Sequence, residues 1–313
     1  MTQKYKIVFM GTPQFSVPGL QALNQNGYEI VMVVTQPDRP KGRGRRITPS
    51  PVKQTAQDLG YPVIQPSSIK TPDFADQIKS LKPDFQVVIA YGKILPENVL
   101  TLPRIGTINI HASLLPKLRG AAPIHWAVIN GEAETGVCSM LMDKGMDTGD
   151  VLLSAKEAIE PDDTAGTLHD RLAVSGASVL IDTLNAYADN TVQPKPQDHS
   201  LATYAPMLTK DDGLINWNKS AKALENFIRG VTPWPGAYTF WGGKRLKIFS
   251  SAPITSDISE PPGTVVAGFP DELRVATGEG LLSVRELQGA SGKRLTIKDF
   301  LRGHPVKPGA ILG

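Results

Sequence analysis

The first 190 residues alternate between short apolar runs and stretches with helical periodicity, and this alternation constrains the fold more than any other feature. Gly27 and Gly60 each follow the last apolar turn of a predicted helix, where glycine commonly ends a helix. Strands that alternate with helices form crossover units in a mostly parallel sheet with helices on both faces. We therefore predict an α/β fold class, with a Rossmann-like domain over residues 1–189. The predicted strands are 6–10, 29–34, 85–90, 107–110, 137–142 and 151–153, and the predicted helices are 17–26, 51–59, 72–81 and 164–188.

A different pattern follows this domain. Residues 190–208 lose periodicity and contain three prolines, which is typical of a linker. Beyond them, one helix precedes short strands separated by Gly and Pro, a pattern that favours a small β-barrel or sandwich over residues 209–313. The helix is predicted at 220–231 and the strands at 237–241, 245–250, 263–267, 273–276 and 281–287.

The charge of the first part of the chain is unevenly distributed. Residues 36–53 carry a net charge of +5, whereas the rest of residues 1–190 carries −6. A cationic loop on an acidic body predicts either a local contact with a polyanion or a solvated flexible loop, and composition alone favours neither. The single cysteine, Cys138, excludes an intramolecular disulfide and is consistent with the cytoplasm, and its strand context predicts a buried thiol. No apolar run is long enough to span a membrane.

Polar side chains interrupt the strand-like stretch TINIHASLLPKLRGAAP, residues 107–123. Asn109 and His111 are two residues apart, so both side chains point to the same side of a strand. At the carboxyl end of a parallel strand they would line the crevice where open sheets bind ligands. An amide donor beside an imidazole suits a developing oxyanion and a proton transfer. An isolated Asn-x-His pair more often lies at the end of a strand with its hydrogen bonds satisfied by neighbouring groups. A catalytic interpretation of Asn109 and His111 therefore depends on the surrounding sequence.

That context includes the loop DKGMDTGD, residues 143–150, which follows another predicted strand. Asp147 lies between Gly145 and Gly149, where the backbone can turn sharply. Such a carboxylate can orient an imidazole and favour its cationic form. Taken alone, Asp147 is better explained as a turn residue. Taken with Asn109 and His111, it indicates a catalytic group.

Two other kinds of site are disfavoured by their missing motifs. The first strand ends in GTPQFS, which lacks the G-x-G-x-x-G of dinucleotide-binding proteins. The five histidines are scattered without a metal-ligand spacing, so we expect no metal.

Asn109-x-His111, the run Ser113-Leu-Leu-Pro-Lys-Leu-Arg-Gly120 and the Asp147-Thr-Gly loop together resemble the folate-dependent formyltransferases. The stretches QPDRPKGRGRRITPSPVK (36–53) and TPWPGAY (232–238) resemble the basic loop and second domain of the family members that act on an aminoacyl-tRNA. This resemblance implies formyl transfer from 10-formyltetrahydrofolate to the α-amine of methionyl initiator tRNA. It also implies a cytoplasmic monomer whose C-terminal domain is an OB-like, tRNA-binding barrel.

The resemblance also implies roles for particular residues. Asn109, His111 and Asp147 would be catalytic. The folate pocket would be formed by Ser113, Leu114, Leu115, Pro116, Tyr91 and Gly92, and tRNA would be bound by Arg43, Arg45, Arg46 and Lys210. In the C-terminal domain, the cations expected to face nucleic acid are Lys244, Arg245, Lys247, Lys293 and Arg294.

Two alternatives stay open. One is a formyltransferase acting on an amino-sugar nucleotide, which the basic loop disfavours. The other is a catalytically silent RNA-binding protein, which the intact Asn, His and Asp disfavour.

Overall fold

The computed structural model describes residues 5–41, 46–257, 260–290 and 292–313, with only the backbone of Lys41 and Arg46 included. The chain forms two compact units that interleave along the sequence. The first comprises Met1–Gly120, Thr135–Ala158 and His169–Tyr204, and the second comprises Ala121–Glu134, Ile159–Leu168 and Ala205–Gly313.

A seven-stranded sheet forms the centre of the first unit, with strand order β5-β2-β1-β6-β7-β8-β9. The strands β2, β1, β6 and β7 pair in parallel, and β8 pairs antiparallel to β7. A separate two-stranded antiparallel sheet is formed by β3 and β4. The bounds are β1 Lys6–Gly11, β2 Glu29–Val34, β3 Arg39–Lys41, β4 Arg46–Thr48, β5 Val63–Ile64, β6 Phe85–Ile89, β7 Gly106–His111, β8 Glu134–Leu141 and β9 Val151–Ala158.

The central strands are buried on both faces, which explains their continuous apolar sequences. In β1, the side chains from Ile7 to Met10 are completely buried. Helices begin where the sequence supplies suitable first-turn residues: α2 has the Ser50 hydroxyl as its cap and Pro51 at its first position. The helices are α1 Val17–Gln25, α2 Pro51–Asp58, α3 Pro72–Ser80, α4 Glu97–Leu100, α5 Pro123–Ile129, α6 Ala165–Ala188, α7 Ala221–Gly230 and α8 Ile297–Gly303.

The second unit contains a six-stranded sheet with order β10-β11-β14-β13-β12, in which β15 also pairs with β14. All its strand pairs are antiparallel, and the sheet curls into a half-barrel. Its apolar core includes Trp217, Leu224, Ile228, Val275 and Leu282. The bounds are β10 Ala237–Trp241, β11 Lys244–Ile254, β12 Val265–Ala267, β13 Leu273–Ala276, β14 Leu281–Gln288 and β15 Leu295–Thr296.

The predicted fold class is confirmed, since a mostly parallel α/β sheet is followed by a small curled antiparallel sheet. The sequence analysis did not predict the shortest strands (β3, β4, β5 and β15) or the helices α4, α5 and α8. These elements have two to seven residues, too few for periodicity to separate them from loops. Within the described ranges, no helix is both long enough and apolar enough to span a membrane.

Candidate active site

Strand β7 places Asn109 and His111 on one side of its carboxyl end, as predicted. Asn109 pairs in register with Val88 of β6, and His111 with Cys138 of β8, so the strand end is fixed from both sides. Asn109 is 9% exposed and His111 is 6% exposed. In the part of the chain that the structure describes, no group hydrogen bonds to the Asn109 side-chain amide. Its N–H donors are therefore available to a substrate oxygen.

Asp147 faces His111 across a gap. The His111 Nδ1 and Asp147 Oδ2 atoms are 3.7 Å apart, which is an ion-pair distance but too long for a hydrogen bond. The other ring nitrogen, Nε2, lies 3.0 Å from the carbonyl oxygen of Leu118. A carbonyl can only accept, so Nε2 carries a proton and donates it to Leu118. Nδ1 is then the nitrogen that can gain, hold or release a proton in the site.

The loop that carries Asp147 has a constrained backbone. Asp147 has a φ of 54°, in the left-handed region that few non-glycine residues adopt. Its Oδ2 accepts a 2.8 Å hydrogen bond from the Gly120 N–H, and its carbonyl accepts one of 2.9 Å from the Gln197 side chain. At Gly149, a Cβ atom would lie 1.7 Å from the Leu141 carbonyl oxygen. The loop therefore holds the carboxylate in one place.

The segment proposed to contact folate continues from β7. The Ser113 hydroxyl is fully buried and donates to the Lys117 carbonyl at 2.6 Å, so it shapes this loop. Leu114, Leu115 and Pro116 are half-buried and leave part of an apolar surface accessible. Leu114 also lies close over Gly136 of β8, where a Cβ atom would be 2.6 Å from a Leu114 methyl group.

Tyr91 and Gly92 follow the carboxyl end of β6, but the Tyr91 ring does not reach the surface. It is 1% exposed and belongs to the apolar core of the sheet, and burial raises its pKa to about 12. Its backbone carbonyl instead accepts hydrogen bonds from Thr12 Oγ1 and Gln36 Nε2, at 3.0 and 3.2 Å. Together with Gly92, these residues line part of a cavity of about 390 Å³.

The residues predicted to bind tRNA are only partly described. Arg43 and Arg45 lie outside the described residues, and Arg46 is the first residue of β4. Another cation of this loop, Lys53, forms an ion pair with Asp38 at 2.6 Å, so its charge is already compensated. Lys210 is exposed, immediately before a 3-10 turn at Asp211–Gly213.

Two arginine side chains of the second unit lie over aromatic rings. The Arg245 guanidinium lies 3.4 Å from the centre of the Tyr238 ring, and that of Arg294 lies 4.7 Å from the Phe249 ring. Arg294 also pairs with Glu286, which offsets part of its charge. Paired registers place Lys247 opposite Tyr238. Cations beside aromatic rings are typical of surfaces that bind nucleic acid, but Arg245 and Lys247 are half-buried here and the Tyr238 ring is only 7% exposed.

Cys138 is 1% exposed, as the sequence predicted, and burial raises its pKa to about 11. A thiol with a raised pKa is a poor nucleophile near neutral pH. Across the described ranges, no three His, Cys, Asp or Glu side chains are grouped so that they could hold a metal ion.

An amide with no hydrogen-bond partner among the described residues, an imidazole and a facing carboxylate lie together beyond the carboxyl end of β7, a combination of groups that suits an enzyme acting on a carbonyl. The comparisons with known proteins identify the group that is transferred. The family described as "Formyl transferase" matches residues 5–184, and "Formyl transferase, C-terminal domain" matches residues 207–305. The chain belongs to the formyltransferase family.

Named relatives cover the whole chain. It is 51% identical over 309 residues to the methionyl-tRNA formyltransferase of Desulforamulus reducens, covering 98% of each chain. It is also 51% identical to the enzyme of that name from Caldanaerobacter subterraneus, covering 98% of this chain and 99% of the relative.

More distant solved structures share the fold. WlaRD, a sugar 3N-formyltransferase, has a TM-score of 0.67 at 19% identity, covering 93% of this chain and all of its own. A glycinamide ribonucleotide transformylase from Symbiobacterium toebii has a TM-score of 0.51 at 17% identity, covering only 62% of this chain and 94% of its own.

Proposed function

We propose that this enzyme transfers the formyl group of 10-formyltetrahydrofolate to the α-amino group of methionyl initiator tRNA, giving formylmethionyl-tRNA for translation initiation. The observation that carries the proposal is the grouping of Asn109, His111 and Asp147 at one strand end. The full-length similarity to methionyl-tRNA formyltransferases supports the choice of acceptor. The enzyme acts as a monomer in the cytoplasm.

In the reaction, the α-amine attacks the formyl carbon, a C–N bond forms, and the carbonyl electron pair moves onto oxygen. The Asn109 amide and a protonated His111 Nδ1 donate to that oxyanion, since Nε2 is already bonded to Leu118. Collapse of the tetrahedral intermediate breaks the bond between the formyl carbon and N10 of the folate. The attacking amine loses one proton and N10 gains one, so N10 of tetrahydrofolate leaves as a neutral amine.

Asp147 stabilises the imidazolium and helps to move the proton. Its Oδ2 is fixed by Gly120 on one side and faces His111 Nδ1 at 3.7 Å on the other. A group that lies beside the two atoms, such as the attacking amine or a water, can hydrogen bond to both of them. The carboxylate therefore acts on the proton without bonding permanently to the imidazole.

The folate lies along the loop of Ser113, Leu114, Leu115 and Pro116, with Tyr91 and Gly92 opposite. Three of these loop side chains provide a partly exposed apolar surface, as a pterin requires. On the other side, the contact comes from the backbone around Tyr91, because its ring is in the core. Ser113 contributes by shaping the loop.

The tRNA is bound through the basic loop and the C-terminal domain. Residues 1–189 form the catalytic domain, 190–208 the linker, and 209–313 an OB-like tRNA-binding domain. Arg43, Arg45, Arg46 and Lys210 contact the nucleic acid. On the second sheet, Arg245 and Lys247 supply charge beside the rings of Tyr238 and Phe249.

The first experiment measures formyl transfer from 10-formyltetrahydrofolate to charged initiator tRNA. The His111→Ala variant and free methionine are run in parallel, with His169→Ala as a control for loss of a half-buried histidine. We expect transfer only to the tRNA, with His111→Ala inactive and His169→Ala active. Transfer to an amino-sugar nucleotide, and none to the tRNA, would contradict the proposed acceptor.

A second experiment concerns the basic loop. Arg43→Ala should weaken tRNA use more than folate use and flatten the log–log salt dependence of tRNA binding by about one unit. Arg104→Ala removes an exposed arginine that pairs with Asp84 and serves as the control. Equal losses for both substrates would refute the assigned role of Arg43.

A further inference from the structure

Three consecutive residues, Leu118, Arg119 and Gly120, hold the two ends of the His111–Asp147 pair. The Leu118 carbonyl accepts the His111 Nε2 proton at 3.0 Å, and the Gly120 N–H donates to the Asp147 carboxylate at 2.8 Å. These two contacts use backbone groups and do not involve the side chain of Leu118. The contact made by Arg119 depends on its side chain.

Arg119 reaches the Asp147 loop through Gln197. Its Nε and Nη2 atoms both donate to Gln197 Oε1, at 3.2 and 2.6 Å. Gln197 Nε2 then donates to the carbonyls of Asp147 and Gly149, at 2.9 and 2.7 Å. A reversed amide would place its NH2 group against the guanidinium and its oxygen against two carbonyls. The arginine therefore determines the orientation of the amide, and the amide holds the backbone of Asp147.

The surroundings of Arg119 argue against a direct role in binding substrate. The residue is 2% exposed. A further Nη2 hydrogen bond of 3.0 Å goes to Nδ1 of His199, which must accept because arginine stays protonated. Across the described ranges, no carboxylate forms an ion pair with this guanidinium. Burying an arginine without a counter-ion is costly, so the hydrogen bonds to Gln197 and His199 have to offset that cost.

Asp147 needs such support because its backbone is strained. Its φ of 54° is unfavourable for a residue with a Cβ atom. The Gln197 hydrogen bonds stabilise this conformation on either side of Thr148, while Gly120 fixes the carboxylate. Without Gln197, the peptide after Asp147 can rotate and carry the carboxylate away from His111.

We propose that Arg119 and Gln197 are positioning residues of the formyl-transfer reaction, which hold Asp147 opposite His111 without touching substrate. This inference rests on the proposed function. It assigns a role to a buried guanidinium in the loop after β7 and to a glutamine that is 78 residues away in sequence.

The test uses Gln197→Glu in the full-length enzyme. The glutamate keeps an acceptor for Arg119 and adds a charge-assisted bond, so the protein should remain folded. Its second oxygen faces the Asp147 and Gly149 carbonyls, where no donor remains. We expect kcat to fall about 10- to 100-fold, with the KM of each substrate within about twofold of wild type, because a displacement of roughly 1 Å can cost 100-fold in rate.

A double-mutant cycle separates positioning from a general structural effect. If Gln197 acts through Asp147, adding Gln197→Glu to Asp147→Asn should lower kcat by less than about threefold, since coupled sites are not additive. Arg119→Lys should show the same fall in kcat at nearly unchanged KM as Gln197→Glu. It tests the proposal in place of Gln197→Glu if that variant does not fold. Arg104→Lys is the matched exposed control. Three results would each overturn the proposal. Gln197→Glu could raise KM without changing kcat, or it could leave kcat at the wild-type value. It could also lower kcat as much in the Asp147→Asn enzyme as in the wild type.

A readout independent of turnover separates this proposal from the proposed function. The ¹⁵N resonances of the His111 ring report which nitrogen is protonated and how Nδ1 is paired. In Gln197→Glu they should shift toward their positions in Asp147→Asn, even if wild-type enzyme fails to formylate methionyl-tRNA. Wild-type ring resonances in Gln197→Glu would show that Gln197 does not position Asp147.

Discussion

Replacing Asp147 by Asn removes the only charge that the structure places within ion-pair distance of His111 among the described residues. The Asn oxygen can still accept from Gly120, as the carboxylate does at 2.8 Å. That oxygen takes the place of Oδ2, which also faces Nδ1 of His111, so the atom opposite the imidazole becomes an uncharged amide oxygen. The substitution therefore keeps the shape of the loop while removing the negative charge that faces the imidazole.

The expected size of this effect follows from the distance. Two unit charges 3.7 Å apart interact by roughly 4 kcal/mol at an effective dielectric constant of about 20, which corresponds to about 1,000-fold in rate. If the imidazolium forms only as the oxyanion develops, this loss falls on kcat. The KM values for both substrates should stay near those of the wild type.

Single-turnover formylation at saturating substrate is the assay, with thermal unfolding to verify that the variant is folded. Asp170→Asn is the matched control, since Asp170 also pairs with a histidine, His169, but is 80% exposed. The control should keep full activity. A kcat for Asp147→Asn within tenfold of wild type would refute the electrostatic role of this carboxylate.

Three further predictions concern stability and reactivity. Gly149→Ala should destabilise the fold by roughly 1–3 kcal/mol in urea unfolding, because its Cβ atom would lie 1.7 Å from the Leu141 carbonyl oxygen. Cys138 should resist thiol reagents at pH 7–8 until the protein is unfolded, since burial raises its pKa to about 11. The Asp38 pKa is lowered, chiefly by a hydrogen bond from Lys53, so Asp38→Asn should cost stability above about pH 4, and the difference should vanish as the pH falls through the folded-state pKa.

Each of these has an outcome that would contradict it. Gly303→Ala, at the end of α8 with open space around its Cβ position, is the control for Gly149→Ala and should be neutral or stabilising. Rapid modification of Cys138 in folded protein would contradict its burial. A stability difference for Asp38→Asn that persists below pH 2 would show that the carboxylate charge is not its cause.

The placement of the proposed catalytic residues could be predicted because their pattern is local. A period of two places Asn109 and His111 on one side of any strand, and the structure gives that strand as Gly106–His111. The flanking glycines indicated that Asp147 lies in a tight turn. The strand order could not be predicted, because it depends on contacts between residues that are distant in sequence. The antiparallel pairing of β8 with β7 is therefore seen only in the structure.

Arg119 and Gln197 were missed for the same reason. Arg119 was visible in the motif, but nothing near it in sequence reveals its partner. Gln197 lies in a proline-containing segment without periodicity, which predicts only a linker. In the structure this segment hydrogen bonds to the site. The backbone N–H of Leu118 donates to Thr203 Oγ1 at 2.9 Å, and the backbone N–H of Arg119 donates to the Thr203 carbonyl at 2.9 Å. The orientation of the Tyr91 ring likewise depends on packing that no short pattern records.

Backbone strain marks the same region. Ala90, Leu118 and Asp147 all have positive φ values, of 45°, 57° and 54°, although none is glycine. Asp147 is itself assigned to the site, and Ala90 and Leu118 each lie next to an assigned residue. Left-handed backbone at a non-glycine residue is maintained only where surrounding contacts stabilise it. Thr203 provides such contacts at Leu118, and Gln197 provides them at Asp147. A segment that reads as a linker thus stabilises two strained residues, so its sequence should tolerate substitution at exposed positions and not at these two hydrogen-bonding side chains.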